Sequence, residues 1–148
     1  MTLSHAAHKV YKIKYHIVIC VKYRKKMLLV SERISFLRNV LSEIEKRYDI
    51  KFDAMGTDGD HVHLFVDAPP KYSPSRIFQI VKSVTAREIL TRFPEIKRDL
   101  WGGEFWSDGG YVGTVGEGTT AAIVKNYILR QGSKEEKEGY KQFRLSEF

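Results

Sequence analysis

The chain has 148 residues, the length of one domain, and with 43% hydrophobic and 29% charged residues it reads as an ordinary globule rather than a disordered or fibrous chain. Its longest apolar runs, such as Ile17 to Val21, fall far short of the ~20 residues of a membrane span. No N-terminal apolar stretch precedes a cleavage site, and the single cysteine, Cys20, excludes an intrachain disulfide and a thiolate-cluster metal site, so a cytoplasmic protein is expected. Charge is unevenly placed: the net charge is +7, and residues 1–30 carry Lys9, Lys12, Lys14, Lys22, Arg24, Lys25 and Lys26 with no acid. The remaining 18 basic residues balance the 18 acidic ones. A local positive field of this kind suits a polyanion such as nucleic acid, a solvated basic arm being the plainer alternative.

Val10 to Tyr23 alternates with period two, which predicts one long strand with Tyr11, Ile13, Tyr15, Ile17, Ile19, Val21 and Tyr23 on a core face and Lys12, Lys14, His16 and Lys22 on a basic face. Ser31 can cap a helix to about Tyr48, on which Ile34, Leu37, Val40, Leu41, Ile44 and Tyr48 recur at helical spacing. Ile50 to Met55 and His61 to Ala68 read as strands of a hairpin around Asp58-Gly59-Asp60. Ser73-Pro74 opens a second amphipathic helix to about Arg92. After a loop around Lys97 to Gly103, Tyr111 to Val115 reads as a fourth strand, with a short strand near Phe105-Trp106 before it. A last helix runs from Thr119 or Thr120 to Gln131, ended by Gly132, and a charge-balanced tail occupies 133–148. The order β-α-β-β-α-β predicts an α+β, ferredoxin-like antiparallel sheet in one domain spanning 1–148, with two helices on one face and the added C-terminal helix (about 119–132) on the other.

His61-Val62-His63 carries the sharpest chemical signal, because period two puts both imidazoles on one face of a strand, close enough to share a divalent metal. The plainer reading is two histidines satisfied inside a core, although Val62, Leu64, Val66 and Ala68 already make the apolar face opposite them. Asp60 and Asp67 flank the pair as candidate outer partners. Tyr127 and Gln131 lie four residues apart on one face of the last helix. If that helix covers the free face of the sheet, Gln131 can supply a third ligand and Tyr127 a nucleophile, since a phenol needs a polarised electrophile or a base near neutral pH. Gly116-Glu117-Gly118-Thr119-Thr120-Ala121 mimics a dinucleotide fingerprint, but no apolar strand follows the helix, so the glycines read better as a joint and no nucleotide cofactor is expected. Cys20 lies in a strand without an activating partner and reads as structural.

Taken together, Tyr15-His16-Ile17-Val18-Ile19-Cys20-Val21-Lys22-Tyr23-Arg24, Asp60-His61-Val62-His63-Leu64-Phe65-Val66, Gly113-Thr114-Val115-Gly116 and Val124-Lys125-Asn126-Tyr127-Ile128-Leu129-Arg130-Gln131 resemble the single-tyrosine HUH transposases of bacterial and archaeal insertion sequences, in which two histidines flank a bulky hydrophobic residue. The resemblance spans nearly the whole chain. It implies a metal-dependent endonuclease and strand transferase for single-stranded DNA with hairpin ends, acting through a 5′-phosphotyrosine link at Tyr127. His61, His63 and Gln131 would hold Mg²⁺ or Mn²⁺, and a homodimer would serve two broken ends. Lys12, Lys14, His16, Lys22, Arg24, Lys25 and Lys26 are candidate DNA contacts, with Tyr23 or Trp106 as stacking platforms. A non-catalytic single-strand-binding module, or a domesticated relative that processes genomic repeat hairpins, are the competing readings.

Overall fold

In a computed structural model of the chain, residues 3–6, 9–101, 103–116 and 119–130 are described. Gln131, Gly118 and the tail expected at 133–148 lie outside them. The elements are β1 (Ser4–Ala6), β2 (Lys9–Tyr11), β3 (Lys14–Cys20), α1 (Ser31–Tyr48), β4 (Lys51–Thr57), β5 (His61–Asp67), α2 (Pro74–Arg92), α3 (Glu95–Asp99), β6 (Tyr111–Thr114) and α4 (Thr119–Leu129). Strands β3 to β6 form one antiparallel sheet in the order β4-β5-β3-β6, the ferredoxin-like arrangement, and β1 and β2 form a separate hairpin.

The expected single strand from Val10 to Tyr23 is broken at both ends. Its first part, β2, pairs with β1, and beyond Val21 the chain turns through a 3₁₀ segment, Lys22–Arg24, where Tyr23 adopts φ 60° and leaves the alternation. Ser31 is the first residue of α1 rather than its cap; Val30 holds the cap position with no side-chain bond. At α2 the expected cap is present: Ser73 Oγ accepts from the Arg76 amide at 3.1 Å and Pro74 follows it. The loop expected around Lys97 contains α3, which buries Ile96. Phe105 and Trp106 make no strand; Trp106 only bridges to Val21.

One face of the sheet holds the main core. Ile17, Ile19 and Val21 with Val62, Leu64 and Val66 meet Leu37, Val40, Leu41 and Ile44 of α1 and Ile77, Ile80, Val81 and Ile89 of α2. On the other face Ala54 and Phe65 receive Ile128 of α4, with Val115, Val124 and Tyr127 beside them. A register shift between Phe52 and Ala54 makes Asp53 the extra residue of a bulge in β4. That is why Phe52 and Ala54, two apart, end in different apolar clusters. Among the described residues no helix is long and apolar enough to cross a membrane.

Candidate active site

Antiparallel register lays the site out in rows: Lys14 faces Asp67, His16 faces Phe65, Val18 faces His63 and Cys20 faces His61 across β3 and β5. All these β5 side chains point away from the main core, so α4 closes over them. His61 and His63 are buried, their ring centroids 5.2 Å apart. The docked helix sets the Tyr127 ring 5.6 Å from that of His63, and the phenolic oxygen is shielded from solvent. Two imidazoles of β5 and a phenol of α4 thus converge on one spot.

Each histidine is held through the same ring atom. His61 Nδ1 bonds Asp60 Oδ1 at 2.5 Å, and Arg24 Nε lies 3.4 Å from the other oxygen of that carboxylate. His63 Nδ1 shares a 2.8 Å hydrogen bond with His16 Nε2, the two rings stacking at 5.0 Å. An outer partner on Nδ1 is the usual arrangement when the tautomer of a metal-binding imidazole is fixed, and it would make Nε2 the coordinating nitrogen. Burial pushes the His16 pKa down to about 4, and burial with the neighbouring His16 and His61 rings drives that of His63 well below its ordinary value, so both rings stay neutral, as metal ligation requires. Burial also opposes ionisation of Asp60, but the His61 hydrogen bond and Arg24 outweigh it and hold the carboxyl below its usual range. Among the described residues no three His, Cys, Asp or Glu side chains are grouped to hold a metal ion. Two imidazoles on one strand face are donors that would suit a divalent cation together with a further ligand; Gln131, the residue expected there, is outside the described segments.

The structure separates the expected DNA contacts. Lys14 is buried and its ammonium lies 2.8 Å from Asp53 and 3.0 Å from Asp67, so it is a structural cation rather than a surface phosphate contact. Burial alone would lower its pKa, but the hydrogen bonds to both aspartates raise it. This pairing also removes Asp67 from the role of outer partner to the histidines, which Asp60 fills. His16, expected on the DNA-facing side, is instead buried behind His63. Arg24 pairs with Asp60, and Lys22 with Glu104. Lys12 and Lys25 are half-buried and Lys26 is exposed. Tyr23 is exposed, but Trp106 is not a stacking platform: it is buried and its Nε1–H donates to Thr85 Oγ1 at 2.8 Å.

Two features escaped sequence reasoning. Trp101, followed by two glycines in a polar loop, is 79% exposed and lies beside Tyr23. The His16–His63 pairing was hinted at only by the parity of His16 on β3. Cys20 is buried with its thiol pKa raised chiefly by burial, in line with a structural role.

Comparison with known proteins places this geometry. The family model described as "Transposase IS200 like" matches residues 9–131. The ISDra2 transposase TnpA of Deinococcus radiodurans is 36% identical over 126 residues, covering 85% of this chain and 89% of that protein. The transposase for insertion sequence element IS200 of Salmonella typhimurium is 30% identical over 125 residues, covering 84% and 80%. Among solved structures, a candidate transposase from Deinococcus radiodurans R1 superposes with a TM-score of 0.69 at 31% identity, covering 86% of this chain and 97% of that one. A REP-associated tyrosine transposase bound to a REP hairpin shares the fold, with a TM-score of 0.59 at 12% identity over 86% of this chain and 70% of its own. A sheet bearing a His-x-His strand under a tyrosine helix, matched along 9–131 by one family model, leads to one conclusion: the chain belongs to the IS200-like transposase family.

Proposed function

We propose that this transposase cleaves and rejoins single-stranded DNA with Tyr127 as nucleophile and His61 and His63 as metal ligands. The observation that carries the reading is the seat of the Tyr127 ring 5.6 Å from His63, on a helix docked over the histidine face of the sheet. Tyr127 Oη attacks the scissile phosphorus, the Oη–P bond forms as the P–O3′ bond breaks, and the proton given up by the phenol balances the one taken up by the departing 3′ oxygen, leaving a 5′-phosphotyrosine and a free 3′-OH. Because the phosphodiester is exchanged and not hydrolysed, a 3′-OH from another strand can reverse the attack and seal the DNA without a nucleotide cofactor. His61 and His63 would hold the cation through Nε2, with Gln131 as the third ligand, and Asp60 and His16 keep the two rings oriented. A bound Mg²⁺ or Mn²⁺ supplies Lewis acidity toward a non-bridging phosphate oxygen. Imidazole donors favour Mn²⁺. The basic segment from Lys22 to Lys26 follows β3, and Lys25 and Lys26 in it can neutralise the backbone of a hairpin-bearing strand.

Incubation with labelled single-stranded oligonucleotides spanning both ends of its own locus, with Mn²⁺ or Mg²⁺, should give a covalent protein–DNA adduct on a denaturing gel. The adduct should be lost in Tyr127→Phe and without metal. Salt-sensitive binding with no adduct would replace this reading with a non-catalytic binding module. One nucleophilic tyrosine per chain handles one broken end at a time, so the working species in this reading is a homodimer. Exchange of α4 between protomers predicts that mixed dimers of Tyr127→Phe and His61→Ala chains cleave more than either parent.

A further inference from the structure

Outside the site, the feature with the most independent support is the paired aromatics Tyr23 and Trp101. They are 58% and 79% exposed, and their ring centroids are 6.4 Å apart. Both rings are displayed by backbone that L residues rarely adopt: Tyr23 at φ 60°, its neighbour Arg24 at φ 55° and Trp101 at φ 32°. Among the described residues one other non-glycine has positive φ, Asp49, which simply closes α1. Positive φ at bulky residues is retained when the surroundings enforce it, and such positions concentrate at functional sites. Enforcement is visible here, since the Lys22 amide donates to the Phe105 carbonyl at 2.8 Å and the buried Val21 bridges to the buried Trp106. The backbone beside Tyr23 and the segment that follows Trp101 are thus tied together.

Cations flank the rings. Lys22 Nζ lies 5.8 Å from the Tyr23 ring centre and Lys25 Nζ 5.7 Å from that of Trp101, while Glu104 is the acid paired with Lys22. The segment Lys22-Tyr23-Arg24-Lys25-Lys26 contains no acid, which disfavours a second copy of the same patch and favours a polyanion carrying flat apolar groups. The patch also adjoins the site, because Arg24 bonds Asp60, which holds His61.

We propose that Tyr23 and Trp101 form a stacking subsite for an unpaired nucleobase of the bound strand, with Lys25 and Lys26 on its phosphates. This rests on the single-stranded DNA reading above and adds to it a base-binding position outside the metal site. Aromatic–base stacking tolerates any sequence because every base has a π face.

The test uses intrinsic fluorescence, since the chain has two tryptophans and Trp106 is buried. Oligothymidine should quench Trp101 emission on the full chain, and an abasic strand of the same length, which keeps the phosphates, should not. Trp101→Leu and Tyr23→Leu should each weaken oligothymidine binding by about 5- to 150-fold, as expected for one stacked base, with the salt dependence unchanged. Trp101→Phe should keep most of the affinity. Binding to the abasic strand should be the same in wild type and variants. Oligothymidine binding without quenching, or variants that bind it as wild type does, would overturn the subsite and leave the single-strand reading standing. A change in oligomeric state in Trp101→Leu without loss of DNA binding would reassign the patch to self-association. Failure of the wild type to bind any single strand would refute both.

Discussion

Replacing His16 tests how the site would hold His63 as the proposed metal ligand, because leucine and glutamine have similar size but only glutamine can accept a hydrogen bond. When His63 Nε2 faces a cation, its proton resides on Nδ1 and donates to His16 Nε2 across 2.8 Å, and both rings are buried. In His16→Leu that donor loses its acceptor whenever metal is bound, whereas the metal-free ring can shift its proton to Nε2 and escape most of the cost. The penalty for a buried unsatisfied donor, about 1–3 kcal/mol, therefore falls on metal binding. It corresponds to roughly 5- to 150-fold, which brackets the 10–100-fold typical of lost outer partners at metal sites. The assay is a Mn²⁺ titration of strand cleavage, paired with calorimetric Mn²⁺ binding. His16→Leu should need about 10- to 100-fold more metal for half-maximal cleavage and recover most of the rate at saturation, and His16→Gln should stay near wild type. Equal metal requirements in wild type and His16→Leu, or a loss that saturating Mn²⁺ fails to restore, would refute the argument.

Acid should destabilise the metal-free protein in a defined window. His16 and His63 titrate lower in the folded chain than the ordinary ~6.5, so below that pH the unfolded chain binds protons the folded one refuses, and stability present above it is lost as pH falls. For His16 the slope is about 1.4 kcal/mol per pH unit down to about 4; urea melts of His16→Leu at pH 7, 6 and 5 should show a slope shallower by about one proton. Ile128→Ala should cost about 2–4 kcal/mol, and because Ile128 belongs to the small cluster under α4 and not to the main core, the loss should appear as 30- to 1000-fold faster amide exchange in α4 with β3 and β5 unchanged. Equal acceleration throughout the sheet would show that α4 is integral to the global fold. Lys14→Met removes the ammonium shared by Asp53 and Asp67 and should cost about 3 kcal/mol in a denaturant melt while leaving the salt dependence of DNA binding intact. Lys26→Ala should do the reverse, lowering the salt slope by about one with no change in stability.

Periodicity was sufficient for the sheet, both long helices and the pairing of His61 with His63, because alternation and the 3.6-residue repeat are local consequences of backbone geometry. It also put Tyr127 on the helix that covers the histidines, once the order of elements left one sheet face open. Where a charged side chain goes depends instead on what long-range neighbours offer it. Lys14 and Lys26 look alike in a basic N-terminal run, yet a bulge at Asp53 and the register placing Asp67 opposite Lys14 draw one inward, while the other stays exposed. The same holds for the aromatics: Trp106 is buried with its N–H taken by Thr85 of α2, while Trp101 is displayed between the buried Leu100 and Phe105. His16 became the partner of His63 only through a diagonal contact between strands 47 residues apart in sequence. Sequence by itself thus determined the central strands, the long helices and the residue types at the site, all written in local spacing. Tertiary structure decided which cations are structural, which aromatics are exposed and which group fixes each histidine, because those outcomes rest on contacts and desolvation between segments that no local pattern encodes.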